Sequence, residues 1–148
     1  MVIAAAVLRG VAIGIKVNVE SCTWPEYLER LQNRKFQIVG ASWMADYPDP
    51  ENFLQLLYGP NKPPGENNSS YQNDAYDRLF EQAAVLSDGP ERMALIERMK
   101  RIVAEDAPWI FVVHRQAAVL SYRRLGNLKS HAVAESPIKY YRIMEDSP

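Results

Sequence analysis

Apolar and polar residues alternate through Ile15-Lys16-Val17-Asn18-Val19-Glu20, the period of a half-buried strand. The period then changes. Thr23 and Glu26 stand at capping-box spacing, and Trp24, Tyr27, Leu28 and Leu31 recur at helical spacing, which predicts an amphipathic helix to about Arg34. Phe36 to Trp43 returns to a strand pattern, with Gly40, Ala41 and Ser42 near its end. A strand-helix-strand order favours a parallel pair with a right-handed crossover. Asp49-Pro50 predicts the next helix start, with Asp as N-cap and Pro at the first helical position. Phe53, Leu54 and Leu57 would face inward and Gly59 would end the helix. Pro60 to Ser70 is rich in turn formers and reads as a long exposed loop.

Beyond that loop the helical signals strengthen. Asp74 is placed to cap a helix whose apolar positions are Tyr76, Leu79, Phe80, Ala83 and Leu86. Asp88-Gly89-Pro90-Glu91 repeats the capping spacing and opens a longer helix carrying Met93, Leu95, Ile96, Met99, Ile102 and Val103. That helix should end near Asp106-Ala107-Pro108. Trp109 to Val113 is an uninterrupted apolar run, the signature of a strand buried on both faces, and Ala117 to Tyr122 predicts another strand. From Arg123 onward the pattern is weak and loop-rich, a return or tail segment over 123–148.

The 148 residues suit one domain, 1–148, and usage is near the globular average, with 47% hydrophobic and 24% charged residues. The net charge of -1 lacks the basic footprint of a nucleic-acid binder, so no nucleic-acid partner is expected. Arg98-Lys100-Arg101 and Arg123-Arg124 read as solvated faces. Cys22 is the single cysteine, so an intrachain disulfide is excluded. Met1 to Ile15 is mostly apolar but lacks a basic leader region and a cleavage site, and Arg9 interrupts it, so it does not read as a signal peptide. It reads as a helix, Val2 to Val11, that turns at Gly10 or Gly14 into the first strand. A chain that opens in mid-pattern is expected to be a piece of something longer.

Candidate chemistry is sparse. His114 and His131 are the only histidines, and neither has a second ligand at helical or hairpin spacing, so no metal site is expected. The sequence has neither a Gly-rich phosphate loop before a helix nor a Gly-x-Ser-x-Gly elbow, and it calls for no cofactor and no catalytic residue. One acidic cluster, Asp46, Asp49 and Glu51, sits where a strand ends and a helix begins, the end at which α/β domains meet ligands. Asp49 is explained as the helix cap and Glu51 by the helix dipole. Asp46 has no such local task. An acid next to Tyr47 and three residues after Trp43 can receive a cationic group, with a charge-assisted hydrogen bond contributing about 1.5–3 kcal/mol. The alternative is a small hydrolase in which Asp46 and Asp49 act as an acid/base pair.

Trp43-x-Ala45-Asp46-Tyr47-x-Asp49-Pro50 with Phe53-Leu54, then Tyr71-x-Asn73-x-x-Tyr76-Asp77-x-Leu79, then Glu105-Asp106-Ala107-Pro108 and the apolar run to His114, resembles a known order. So do Gly14-Ile15-Lys16-Val17 and Trp24-x-x-Tyr27 upstream. It is that of the C-terminal part of family 5 extracellular solute-binding proteins, the peptide, dipeptide and oligopeptide receptors of ABC importers. The resemblance covers roughly Val7 to Leu128. It implies an α/β fold: a mixed-sheet lobe with helices packed on it, a partial copy of the C-terminal lobe of a two-lobed periplasmic binding protein that closes on its ligand by a hinge. It implies a non-catalytic substrate-binding component of a peptide importer, with the parent protein periplasmic or extracytoplasmic and a membrane permease as partner of the full-length receptor. In that family the acid at the position of Asp46 pairs with the peptide's α-amine and the Trp at the position of Trp43 walls the cleft; Tyr47 would add to that wall. Other members bind nickel complexes, sugars or other small solutes. A derived interaction module is the remaining alternative, and a lone half-receptor is expected to self-associate through the surface its other lobe would cover.

Overall fold

The computed structural model describes residues 12–114, 116, 118–129 and 137–144. The helix expected over Val2 to Val11, and His131, lie outside these residues. Helix α1, Trp24–Gln32, forms where the helical spacing placed it. It is a surface helix with no buried residue, held by ion pairs from Arg30 to Glu20 and Glu26 and by the stacking of Trp24 on Tyr27. Thr23 occupies the cap position without a side-chain cap bond, and the Glu26 side chain turns forward to Arg30 at 2.8 Å, so the expected capping box does not close.

The core is built on two longer helices, α3 over Asp74–Ala84 and α4 over Pro90–Asp106, packed as a hairpin. Tyr76, Leu79, Phe80 and Ala83 of α3 meet Ile96, Met99 and Val103 of α4, the faces given by their helical spacing. Leu86, expected inward, is only half-buried, and Met93 is half-exposed. The cap of α3 is Asn73 rather than Asp74: the Asn73 side-chain oxygen accepts from Ala75 N at 3.0 Å and Tyr76 N at 3.1 Å. Asp74 becomes the first helical residue, where its charge suits the dipole. Gly89, not Asp88, caps α4, and Asp88 pairs with Arg92 instead. Helix α4 ends at Ala107 in the left-handed region (φ 45°), and Pro108 cannot continue it.

The short helix α2, Glu51–Leu54, runs into two 3-10 turns, Gln55–Leu57 and Gly59–Asn61. The tighter turns rotate the side chains, so Leu56 and Leu57 are buried while Phe53, expected inward, is exposed. The Tyr76 hydroxyl donates to Leu54 O at 2.7 Å, and Asp77 accepts from Gly59 N at 2.8 Å. A Cβ at Gly59 would lie 2.5 Å from the Asp77 carboxylate, so a larger residue there would displace Asp77 from the Gly59 N–H. The 60–70 segment is less free than its composition suggests. Asn67 is fully buried and donates to Tyr58 O at 3.0 Å and Tyr71 O at 2.9 Å, pinning the loop against the core. Tyr71 in turn donates to the Asp106 carboxylate, tying the entry of α3 to the end of α4. Burial and that carboxylate push the Tyr71 hydroxyl up to about 12.

The expected strands are the main difference. Residues 15–20, 36–43, 109–113 and 118–122 form no ladder, and the only sheet among the described residues is a two-residue antiparallel pair, β1 (Leu125–Gly126) with β2 (Arg142–Ile143). Ile110 and Phe111, expected buried on both faces, are 81% and 75% exposed. A strand draws its hydrogen bonds and cover from neighbours, and these segments have none here. No helix among the described residues is long and apolar enough to cross a membrane.

Candidate functional site

The Trp43–Pro50 stretch is irregular backbone that leads into α2, and one side chain organises it. Asn52, in the first turn of α2, has no exposed surface. Its Oδ1 accepts from the Trp43 indole Nε1 at 2.8 Å and from the Asp46 backbone N at 3.2 Å, and its Nδ2 donates to Asp46 Oδ2 at 3.2 Å. Only this orientation of the amide faces oxygen to two donors and nitrogen to a carboxylate. The sequence places Asn52 on the exposed start of a helix, and its role depends on partners six and nine residues earlier.

Asn52 therefore brings together two of the three sequence-predicted site residues. Asp46 is exposed, takes part in no ion pair among the described residues, and accepts its one side-chain hydrogen bond from Asn52. Trp43 is held by its nitrogen while 36% of its surface stays open. Tyr47 is 39% exposed and its hydroxyl lies 3.4 Å from Glu51, so it stands beside the cluster without a bond to Asn52. The arrangement offers an anion and an aromatic face to solvent, both held by a buried amide.

Asp49 has a different task. Its Oδ1 accepts from Glu51 N at 2.8 Å, the capping contact expected of it, although the regular helix begins only after Pro50. Both its oxygens also receive the Arg92 guanidinium, at 2.8 and 2.9 Å. That pairing holds the Asp49 carboxyl below the usual carboxylate range. Arg92 was not singled out by the sequence, yet it lies on the buried stripe Arg92, Ile96, Met99, Val103 of α4. A cation in register with buried apolar residues is the signal that points to it. A solvent-open groove between α3 and α4, lined by Arg78, Arg98 and Arg101 among others, shares no residue with this cluster. No group of three or more metal-ligating side chains occurs among the described residues.

Residues 3–65 match the family described as bacterial extracellular solute-binding proteins, family 5 Middle. Di/tripeptide-binding protein 2 of Pseudomonas aeruginosa is 32% identical over 104 residues, 70% of this chain and 20% of that protein. The chain is a relative of the family 5 extracellular solute-binding proteins. Another relative, heme-binding protein A of Haemophilus influenzae, is 33% identical over 119 residues, 80% of this chain and 22% of that protein. Among solved structures, the periplasmic binding protein DppA from Helicobacter pylori, in complex with the peptide STSA, superposes with a TM-score of 0.64 at 37% identity. That likeness covers 71% of this chain and 21% of DppA. The chain thus spans about one fifth of the length of the relatives it matches. The fold class read from the sequence, part of an α/β periplasmic binding-protein lobe, holds at this level, although the sheet is not formed among the described residues.

Proposed function

We propose that this chain supplies one wall of the ligand cleft in an extracytoplasmic receptor of an ABC-type peptide importer, that Asp46 takes the α-amine of a short peptide there, and that Trp43 and Tyr47 wall the cleft. The observation that carries this reading is the buried Asn52, which orients Asp46 and Trp43 together while leaving the carboxylate open and without a cation among the described residues. A primary ammonium is the natural complement of such a group. Relatives named for di/tripeptide and dipeptide binding support the ligand class. A haem-like solute, as in the Haemophilus relative's name, presents carboxylates that Asp46 would repel, so the geometry favours an amine-bearing ligand.

On this reading 1–148 is a single partial lobe, and the exposed apolar side chains Ile15, Val19 and those of 110–113 are surfaces that the rest of a receptor would cover. Delivery to a membrane permease would then belong to the whole receptor. A hydrolase built on Asp46 and Asp49 finds little support, because Asp49 is occupied by Arg92 on both oxygens and is a poor proton donor. The derived interaction module keeps one observation in its favour, the same exposed apolar surface. Sedimentation velocity is expected to show the chain associating as its concentration rises; a single monomeric species throughout would count against that exposure.

Asp46→Ala is expected to raise the Kd of a free-amine tripeptide by about tenfold or more, the equivalent of one charge-assisted hydrogen bond. Equal affinity of the variant and the parent chain by calorimetry would remove Asp46 from the site.

A further inference from the structure

Arg92 makes four side-chain hydrogen bonds from a buried position. It is 7% exposed and donates through all three guanidinium nitrogens: Nε to Ala83 O at 3.1 Å, Nη1 to Asp88 at 2.9 Å and Asp49 Oδ2 at 2.9 Å, Nη2 to Asp49 Oδ1 at 2.8 Å. These bonds join three pieces of chain: the last turn of α3, the start of α4, and the segment that carries Asp46. The fork into Asp49 is bidentate, which fixes direction as well as distance. Asp49 also accepts from Glu51 N, and its carbonyl oxygen accepts from Asn52 N at 3.2 Å, so its position sets the first turn of α2. Asn52 lies in that turn and holds both Trp43 Nε1 and the Asp46 carboxylate.

We propose that Arg92 is a positioning residue for the ligand-contact pair Asp46 and Trp43, acting through Asp49 and Asn52 from the α3–α4 hairpin. The inference rests on the peptide-binding reading for its consequence and on the hydrogen-bond chain for its mechanism. The pair Asp49 and Arg92 spans 43 residues of sequence, and it is the only ion pair among the described residues that joins the Trp43–Pro50 segment to the hairpin. Without it the segment would be tied to the core through α2 alone, and the buried Asn52 amide would lose its fixed orientation toward Trp43 and Asp46.

The Trp43 indole N–H is bonded to a buried amide oxygen, so its NMR shift is the readout of this coupling without any ligand, assigned by its loss in Trp43→Phe. The chain, its Arg92→Lys variant and its Asp49→Asn variant would be compared, each well below its thermal midpoint. Lysine keeps the charge but not the fork, and asparagine keeps one acceptor but not the charge. Both variants are expected to shift the Trp43 indole and Asp46 amide signals and to weaken tripeptide binding by on the order of threefold to thirtyfold. A variant that is destabilised but leaves these two signals and the affinity unchanged would overturn the positioning role. Indole shifts in the variants with no tripeptide bound by the parent chain would sustain the coupling and overturn the peptide-binding reading on which its consequence rests. Asp49→Asn keeps the test informative if Arg92→Lys does not fold.

Discussion

Met99→Ala is expected to lower the unfolding free energy by about 2–5 kcal/mol, the range for truncating a buried methionine. Met99 has no exposed surface and sits where α3 and α4 meet, among Tyr76, Leu79, Phe80, Ala83, Ile96 and Val103. The shape of the core argues for the upper part of that range. Met99 shares this cluster with Leu57 and with Tyr76, whose hydroxyl is fixed by its bond to Leu54 O, so the walls around a lost side chain are held. Urea denaturation followed by far-ultraviolet circular dichroism measures it, since the helices of this hairpin dominate the signal. A loss under 1 kcal/mol would mean that the hairpin is not the core of the chain.

Arg92→Ala is expected to cost a comparable amount, about 3 kcal/mol, at the low end for breaking a buried pair because a quarter of the Asp49 side chain remains exposed. This loss should depend on pH. The Arg92 hydrogen bond holds the folded Asp49 carboxyl below its unfolded value of about 3.9, with burial opposing it. Stability from a depressed carboxylate is present above the unfolded value and is lost as pH falls through the folded one. Arg92 stays charged throughout, Asp88 is the other carboxylate on it, and Glu51 contributes only its backbone N–H to Asp49. The gap between parent and variant should therefore be full at pH 6 and shrink below about pH 4. A gap that is constant from pH 6 to pH 2.5 would mean that the pair contributes packing rather than charge.

The residues that the sequence read correctly and those it missed differ in how far away their partners lie. Helices α3 and α4 are written in local periodicity: Tyr76, Leu79, Phe80 and Ala83 fall on one face whatever follows, and Pro108 stops α4 by covalent geometry. The strands are not local objects. Trp109 to Val113 carries a pattern of double-sided burial, but that burial must come from other strands, and no ladder forms beside it here. Asn73 and Asp74 are adjacent residues with similar capping propensity, so one-residue placement of the cap was not legible. At the site, Trp43 and Asp46 stand out in the sequence because an acid between aromatic residues at an element boundary has no task in local capping; the structure joins the two through Asn52. Asn52 and Arg92 do not stand out there, because one acts across nine residues and the other across 43. The register of Arg92 with Ile96, Met99 and Val103 is the clue that a wider reading of the same periodicity would have used.

The central claim is that the open Asp46 carboxylate receives a peptide's α-amine. It is tested most directly by following the Trp43 indole and Asp46 amide NMR signals while the chain is titrated with a tripeptide and, separately, with the same tripeptide acetylated on its amine. The free-amine peptide is expected to shift both signals in a saturable way, and acetylation to weaken that response about tenfold or more by removing the charge. Identical titration curves for the two peptides, or shifts confined to residues away from Trp43, Asp46 and Asn52, would contradict it.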